Sequence, residues 1–209
     1  MTQKIYFRQG IFLLAIFLVF LIGSADAYNI EGNGVCTCDS CSDCTDALND
    51  NKCSSVKLTI DIIDHSGTCI DNPENFNNKI FDCQGHKIDG NKSSWSYGVY
   101  LNQKHNNIIK NCVITDFNFG VYLNFSSNNI LTGNNANSNI WYGIYLAFSS
   151  NNILTGNNAN SNYKGIYLES SSNNTLINNT MNNNEYNNFD IRAWEISEFY
   201  QDIDTSNTV

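Results

Sequence analysis

The chain has 209 residues, a formal charge of −9, 12% aromatic residues, eight cysteines and one proline. That length holds one domain, or one domain with a small cap. The acidic balance, with no Lys/Arg cluster, argues against nucleic acid or an anionic membrane surface as a partner. Charged residues make up only 15%, and asparagine takes up the slack with 37 residues, most of them between Asn102 and Asn188.

The segment from Met1 to Ala27 reads as an export signal. Lys4 and Arg8 precede an unbroken apolar run from Ile11 to Ile22, and Ala25-x-Ala27 follows as the small-x-small pattern that signal peptidase reads. Twelve apolar residues fall short of the roughly 20 a membrane span needs. Cleavage is therefore expected near Ala27, leaving a mature chain from Tyr28 with no membrane span. Its expected location is secreted, cell-surface or periplasmic.

Residues 28–76 read as a Cys-rich N-terminal cap. Cys36, Cys38, Cys41, Cys44, Cys53 and Cys69 all lie there. In a reducing compartment the close spacing of the first four would suit zinc or an iron–sulfur cluster. In an oxidising one the same residues are disulfide candidates, and six cysteines allow fifteen pairings between which the sequence does not choose. Ser42 to Asn49 is predicted to form a short capped helix, and Val56 to Ile62 alternates as a lead-in strand.

Residues 77–191 carry an internal repeat. Gly-[Ile/Val]-Tyr-Leu begins at Gly98, Gly120, Gly143 and Gly165, and an Asn-Asn pair at Asn106, Asn128, Asn151 and Asn173 keeps step with it through every interval. A unit of about 22 residues is too short for two helices, and its apolar residues alternate with period two. Three short strands joined by Asn/Gly/Ser corners fit it, because Asn and Gly tolerate left-handed backbone. The predicted fold is all-β: a right-handed parallel β-helix of five or six rungs, with the Cys-rich cap at its N-terminal end.

Stacking then fixes the columns. Val99, Val121, Ile144 and Ile166 should point inward, as should Leu101, Leu123, Leu146 and Leu168, and a second stack of Ile109, Leu131, Leu154 and Leu176. Cys112, Asn134, Asn157 and Asn179 share a register in which side-chain amides can bond from rung to rung. Cys83 is expected just before Cys112, as a second buried thiol or as its disulfide partner. Residues 192–209 lack an evident plug. Trp194 to Tyr200 is a candidate covering segment, and an uncovered end would favour self-association.

The stretch from Phe81 to Gly90, then Lys110 to Phe117, then the Gly-Ile-Tyr-Leu repeats resembles exported parallel β-helix proteins of the NosD-like type. These are grouped with carbohydrate-binding and sugar-hydrolase domains, and the resemblance covers roughly Asn29 to Val209. It implies the fold and leaves the activity open. The copper association of the NosD name finds no Met/His/Cys arrangement in the repeats.

Two kinds of site remain to weigh. Catalysis on a polysaccharide, as a lyase or hydrolase, would need a base with cation-binding acids, or two carboxylates facing across a sugar. The middle rungs carry one acid, Glu169, so the weak candidates are Asp82, His86, Lys87, Asp89 and Asp116 around the first rungs. His65 and His105 stand alone, and no metal ligand set or cofactor is expected. Glycan binding has more to work with: Tyr100, Tyr122, Tyr145 and Tyr167 should point outward one rung apart, where aromatic rings can meet sugar faces. Stacked tyrosines also support a sheet by themselves. Trp95, Trp141 and Tyr163 fall near the same corner. Sequons at Asn91, Asn124, Asn173 and Asn178 are candidate glycosylation sites. The sequence therefore points to an exported β-helix module that binds a polysaccharide or cell-envelope glycan, or acts structurally, without an evident catalytic site.

Overall fold

The computed structural model describes residues 28–193, 195 and 200–209. The expected signal peptide and most of the covering segment from Trp194 to Tyr200 lie outside the described residues. The chain opens with strand β1 (Asn29–Gly32) and β2 (Val35–Cys38), an antiparallel hairpin. Its two turn residues, Asn33 and Gly34, both have positive φ, 51° and 75°, as a twisted two-residue turn needs. Helix α1 (Cys41–Asn49) follows, and the Ser40 hydroxyl accepts the Asp43 N–H at its N-terminus.

Coiling begins at once. Strands β3 (Ser55–Leu58), β4 (Ile62–His65) and β5 (Ile70–Asp71) make one turn, and β6 (Ile80–Asp82), β7 (Lys87–Gly90) and β8 (Tyr97–Asn102) the next. Then come β9 (Ile108–Lys110), β10 (Val113–Thr115) and β11 (Phe119–Asn124), followed by β12 (Ile130–Thr132) and β13 (Tyr142–Ala147). Strands β14 (Ile153–Thr155), β15 (Lys164–Glu169), β16 (Asn174–Ile177), β17 (Asn187–Arg192) and β18 (Gln201–Ile203) complete the stack.

Three sheets run along it. The first is β1-β2-β3-β6-β9-β12-β14-β16-β18, the second β4-β7-β10, and the third β5-β8-β11-β13-β15-β17. Single bridges Val113–Asn135–Asn158–Thr180–Thr208 prolong the second sheet. All pairings after the first hairpin are parallel, giving a right-handed β-helix of about seven turns. The expectation of five or six rungs was short because β2 pairs in parallel with β3, and β3 with β6. The cysteine-rich segment thus coils with the repeats as well as supplying a helix.

The predicted columns pair in register, Val99–Val121–Ile144–Ile166 and Leu101–Leu123–Leu146–Leu168 in the third sheet, and Ile109–Leu131–Leu154–Leu176 in the first. All twelve side chains are fully buried. Every cysteine is bonded: Cys36–Cys53, Cys38–Cys44, Cys41–Cys69 and, linking adjacent coils of the repeat, Cys83–Cys112.

Corners interrupt the strand ladders, and their backbone N–H groups need acceptors once buried. Asparagine side chains supply them in three ladders where one was predicted. In the foreseen one, the N–H groups of Cys112, Asn134, Asn157 and Asn179 each donate to the Oδ1 of the next asparagine, ending at Asn207, over 2.9–3.1 Å. A second runs Asn107–Asn129–Asn152–Asn174 and closes on Gln201. A third runs from Phe117 through Asn139 and Asn162 to Asn184. At the foot of the second ladder, Lys79 donates its N–H to Asn107 and turns its amine onto Leu48 O and Asp50 O at the C-terminal end of α1.

The repeat glycines serve another purpose. Gly98, Gly120, Gly143 and Gly165 have no positive φ; a Cβ on Gly143 would lie 2.8 Å from Ala136 O and 2.9 Å from Ala159 Cβ, so the site is kept empty for neighbouring coils.

Candidate functional site

In β8 the first, fourth and sixth side chains are half-buried and the other three buried, and the register carries the same positions through β11, β13 and β15. The fourth positions build the predicted column, Tyr100, Tyr122, Tyr145 and Tyr167, with Asp71 in register at one end and Asp190 at the other. Its rings lie nearly parallel, with centroids 5.4, 4.7 and 5.0 Å apart. The first positions add a column that was not foreseen: Tyr97, Phe119 and Tyr142, 4.8 and 5.3 Å apart, then Lys164. Its signal was visible in the sequence, as the aromatic residue just before three of the repeat glycines.

The two columns interlock. Tyr97 stacks on Tyr122 at 5.7 Å and Phe119 on Tyr145 at 6.1 Å, so the rings cover one another's faces. The four tyrosines therefore present mostly ring edges and hydroxyls, and Tyr167 is buried outright. At the C-terminal end of the face, Lys164 lies 4.0 Å over the Tyr167 ring and pairs with Asp190, while the Tyr145 hydroxyl donates to Glu169, whose other oxygen is 3.9 Å from Arg192. Glu169 looked solitary in the sequence because its partners come from other turns.

Burial pushes the Tyr122 hydroxyl up to about 12, with the neighbouring Tyr100 and Tyr97 adding to the effect. Burial, and then the bond to Glu169, raises Tyr145 further. Tyr97, Tyr142 and Tyr167 shift upward for the same first reason. All five stay protonated donors at neutral pH.

Along both borders of the face the rings stand clear of the sheet. On one corner, Trp95 meets Trp141 edge-on at 5.1 Å and Tyr163 stacks on Tyr186 at 5.3 Å. Trp95 is 67% exposed and Tyr186 60%. On the opposite corner, Phe125 and Phe148 stack at 4.9 Å and remain 49% and 45% exposed.

The five weak catalytic candidates are dispersed. Asp82, on the first sheet, pairs with Lys110 at 3.1 Å and accepts from Asn111 and the Gln84 N–H. Lys87 and Asp89, on the second, pair at 2.7 Å, and Asp89 also accepts the Thr115 hydroxyl. His86 sits against Asp61 at 3.0 Å, and Asp116 against Lys92 at 3.2 Å. Burial opposes ionisation of Asp82 and Asp89, but their lysines and hydrogen-bond donors outweigh it and hold both carboxyls below the usual range. Of the five, Lys87 and Asp89 alone touch each other among the described residues, and each carboxylate is matched to its own lysine. Among the sequons, Asn91, Asn173 and Asn178 are exposed, whereas Asn124 is half-buried and donates its amide to Asn102.

Comparison with known proteins places residues 28–201 in the family described as periplasmic copper-binding protein (NosD). No curated protein matches the chain. Among solved structures, the mannuronan C-5 epimerase AlgE4 A-module of Azotobacter vinelandii is similar at TM-score 0.49 and 14% identity, over 63% of this chain and 37% of that one. The periplasmic alginate epimerase AlgG is similar at TM-score 0.37 and 19% identity, over 61% and 35%. The chain thus spans little more than a third of the length of these two structures.

Copper needs thiolate, thioether or imidazole donors, and the donors here do not meet. All eight cysteines are in disulfides. His65 faces Thr68 O, His86 faces Asp61, and His105 Nδ1 accepts the Ser127 N–H. Met181 is packed in the core. No three His, Cys, Asp or Glu side chains among the described residues group to hold a metal. The described residues do not fit a copper site.

Proposed function

The chain belongs to the NosD family, and from that premise we propose that it is an exported envelope β-helix that holds a neutral glycan chain against the outer face of its third sheet. The observation that carries this reading is the aromatic face itself: two ring columns over four turns, bordered on both corners by rings exposed to solvent. Sugar rings offer apolar C–H faces to aromatic rings, and the protonated tyrosine hydroxyls and nearby amides can bond their hydroxyls. The net charge of −9 opposes polyanionic chains. Four disulfides suit an oxidising compartment, the family is described as periplasmic, and no helix among the described residues is long and apolar enough to cross a membrane.

The test is native affinity electrophoresis of the exported, oxidised protein through gels containing xylan, galactomannan, hydroxyethylcellulose or a polyuronate, with assays for new reducing ends and unsaturated products. Retardation by a neutral polymer without product is expected. Migration unaffected by every polymer would refute the reading, and product formation would replace binding by catalysis.

A further inference from the structure

Among the described residues, positive φ outside glycine falls mostly on Asn and Asp, the side chains that tolerate left-handed backbone best. Three of the remainder are bulky aromatics: Trp95 at φ 56°, Phe125 at 45° and Phe148 at 48°. The same three are among the most exposed apolar side chains of the molecule. Each position thus combines a strained backbone with a ring left in water, although asparagine fills left-handed corners throughout the other coils. At the corner shared by Phe125 and Phe148, the neighbouring coils carry Gln103 and Ser170, also with positive φ, so the turn does not require an aromatic residue. Their pairing, Trp95 with Trp141 and Phe125 with Phe148, still leaves all three rings of the strained positions largely in water, and strain retained at an exposed site points to contact with something outside the chain.

We propose that Trp95 on one corner, and Phe125 with Phe148 on the other, are the residues that meet the sugar rings, and that the interlocked tyrosine columns between them are the rigid support. This rests on the glycan-binding reading above and assigns its contacts. The ladder rings are covered by neighbours along and between their columns, whereas Phe125 and Phe148, although stacked on each other, and Trp95 leave close to half or more of their surface free. The two corners lie at opposite ends of six-residue strands, so they are separated by roughly 20 Å at about 3.3 Å per residue. A polysaccharide chain that touches both must run along the strands, across the helix axis and over the tyrosine hydroxyls. The occupant is a neutral chain: the turn around Phe125 and Phe148 is built of Asn124, Ser126, Ser127, Ala147, Ser149 and Ser150, with no charged side chain.

The experiment compares the wild type with Trp95→Asn, Phe125→Asn plus Phe148→Asn, and the triple variant. Affinity gels of the neutral polymer that retards the wild type give binding, and thermal unfolding gives stability. Expected is a loss of apparent affinity of about tenfold or more, as for truncated hot-spot aromatics, with Tm held within about 2 °C or raised. Ile153→Asn, a comparably exposed change on the first sheet, should retain retardation. Retained binding in the triple variant would overturn the assignment while leaving the glycan reading intact. A fall in Tm of many degrees would overturn it too, by making the rings structural. A wild type that no polymer retards would overturn both.

Discussion

Replacing Asn157 by leucine tests whether the buried amide ladders hold the coils together or merely occupy space that an apolar side chain could fill. Asn157 Oδ1 accepts the Asn134 N–H and Asn134 Nδ2, each at 3.0 Å, and its own Nδ2 donates to Leu131 O and Asn179 Oδ1, each at 2.9 Å. Leucine keeps the branched four-atom shape, is somewhat bulkier, and removes all four bonds. Asn134 Nδ2 keeps Ile109 O and Asn179 Oδ1 keeps the Asn157 N–H, but the Asn134 N–H loses its acceptor. An orphaned buried donor costs about 1–3 kcal/mol, and the other lost bonds about 1 kcal/mol each. The apolar gain of leucine offsets about 1–2 kcal/mol. The net loss is about 3 kcal/mol, or roughly 6–12 °C in Tm for a chain of this size. Urea and thermal unfolding of the oxidised protein, followed by circular dichroism, would measure it. An unchanged or raised Tm would refute the reasoning, because apolar packing could then replace the ladder without penalty.

Gly143→Ala is expected to cost about 1–3 kcal/mol through overpacking against Ala136 O, Ala159 Cβ and Asn162 Nδ2. Gly156→Ala, with open space but φ of +64°, should cost about 1–2 kcal/mol from backbone strain alone, and denaturant titration separates the two. Changing Cys83 and Cys112 together to serine opens a link across 29 residues and should cost about 3 kcal/mol, while a thiol assay on the intact wild type should find none. The hydroxyls of Tyr97, Tyr122, Tyr142, Tyr145 and Tyr167 are raised above the ordinary tyrosine value of 10.0, Tyr122 to about 12, so the folded state favours their neutral form. Stability from this source is complete below pH 10 and lost as pH rises through about 12. The part of the tyrosinate absorbance lost on replacing Tyr122 by phenylalanine should therefore lag behind that of free tyrosine and then appear together with loss of the β-sheet signal. Ionisation of Tyr122 near the ordinary value with the fold intact would contradict the packing described.

The nearly constant repeat spacing was enough to place three inward columns of aliphatic residues, though not the buried Ile114, Ala136 and Ala159, because parallel stacking puts equivalent residues one above another and leaves no freedom of register. The outward tyrosine column followed from the same rule, as did the ladder through Asn134 and Asn157. The two further asparagine ladders were equally periodic, but periodicity alone does not show which corner amides turn inward. The cysteine pairings of the N-terminal cap were beyond reach for a different reason. Cys41 meets Cys69 across 28 residues and Cys36 meets Cys53 across 17, distances set by how the first, irregular coils close around α1.

The sequence by itself determined the coil, its inner columns and the presence of an outward aromatic row, since each depends on a repeat in one dimension. Whether those rings offer their faces or only their edges was decided by tertiary structure. Ring faces are covered by neighbours from adjacent turns and from the parallel column, as Tyr122 is by Tyr97, Tyr100 and Tyr145. The same holds for Glu169, which meets Tyr145 and Arg192 only because three successive turns bring their strands side by side. A side chain's neighbours within a strand are written in the chain, whereas its neighbours across the coils exist only once the coils have stacked.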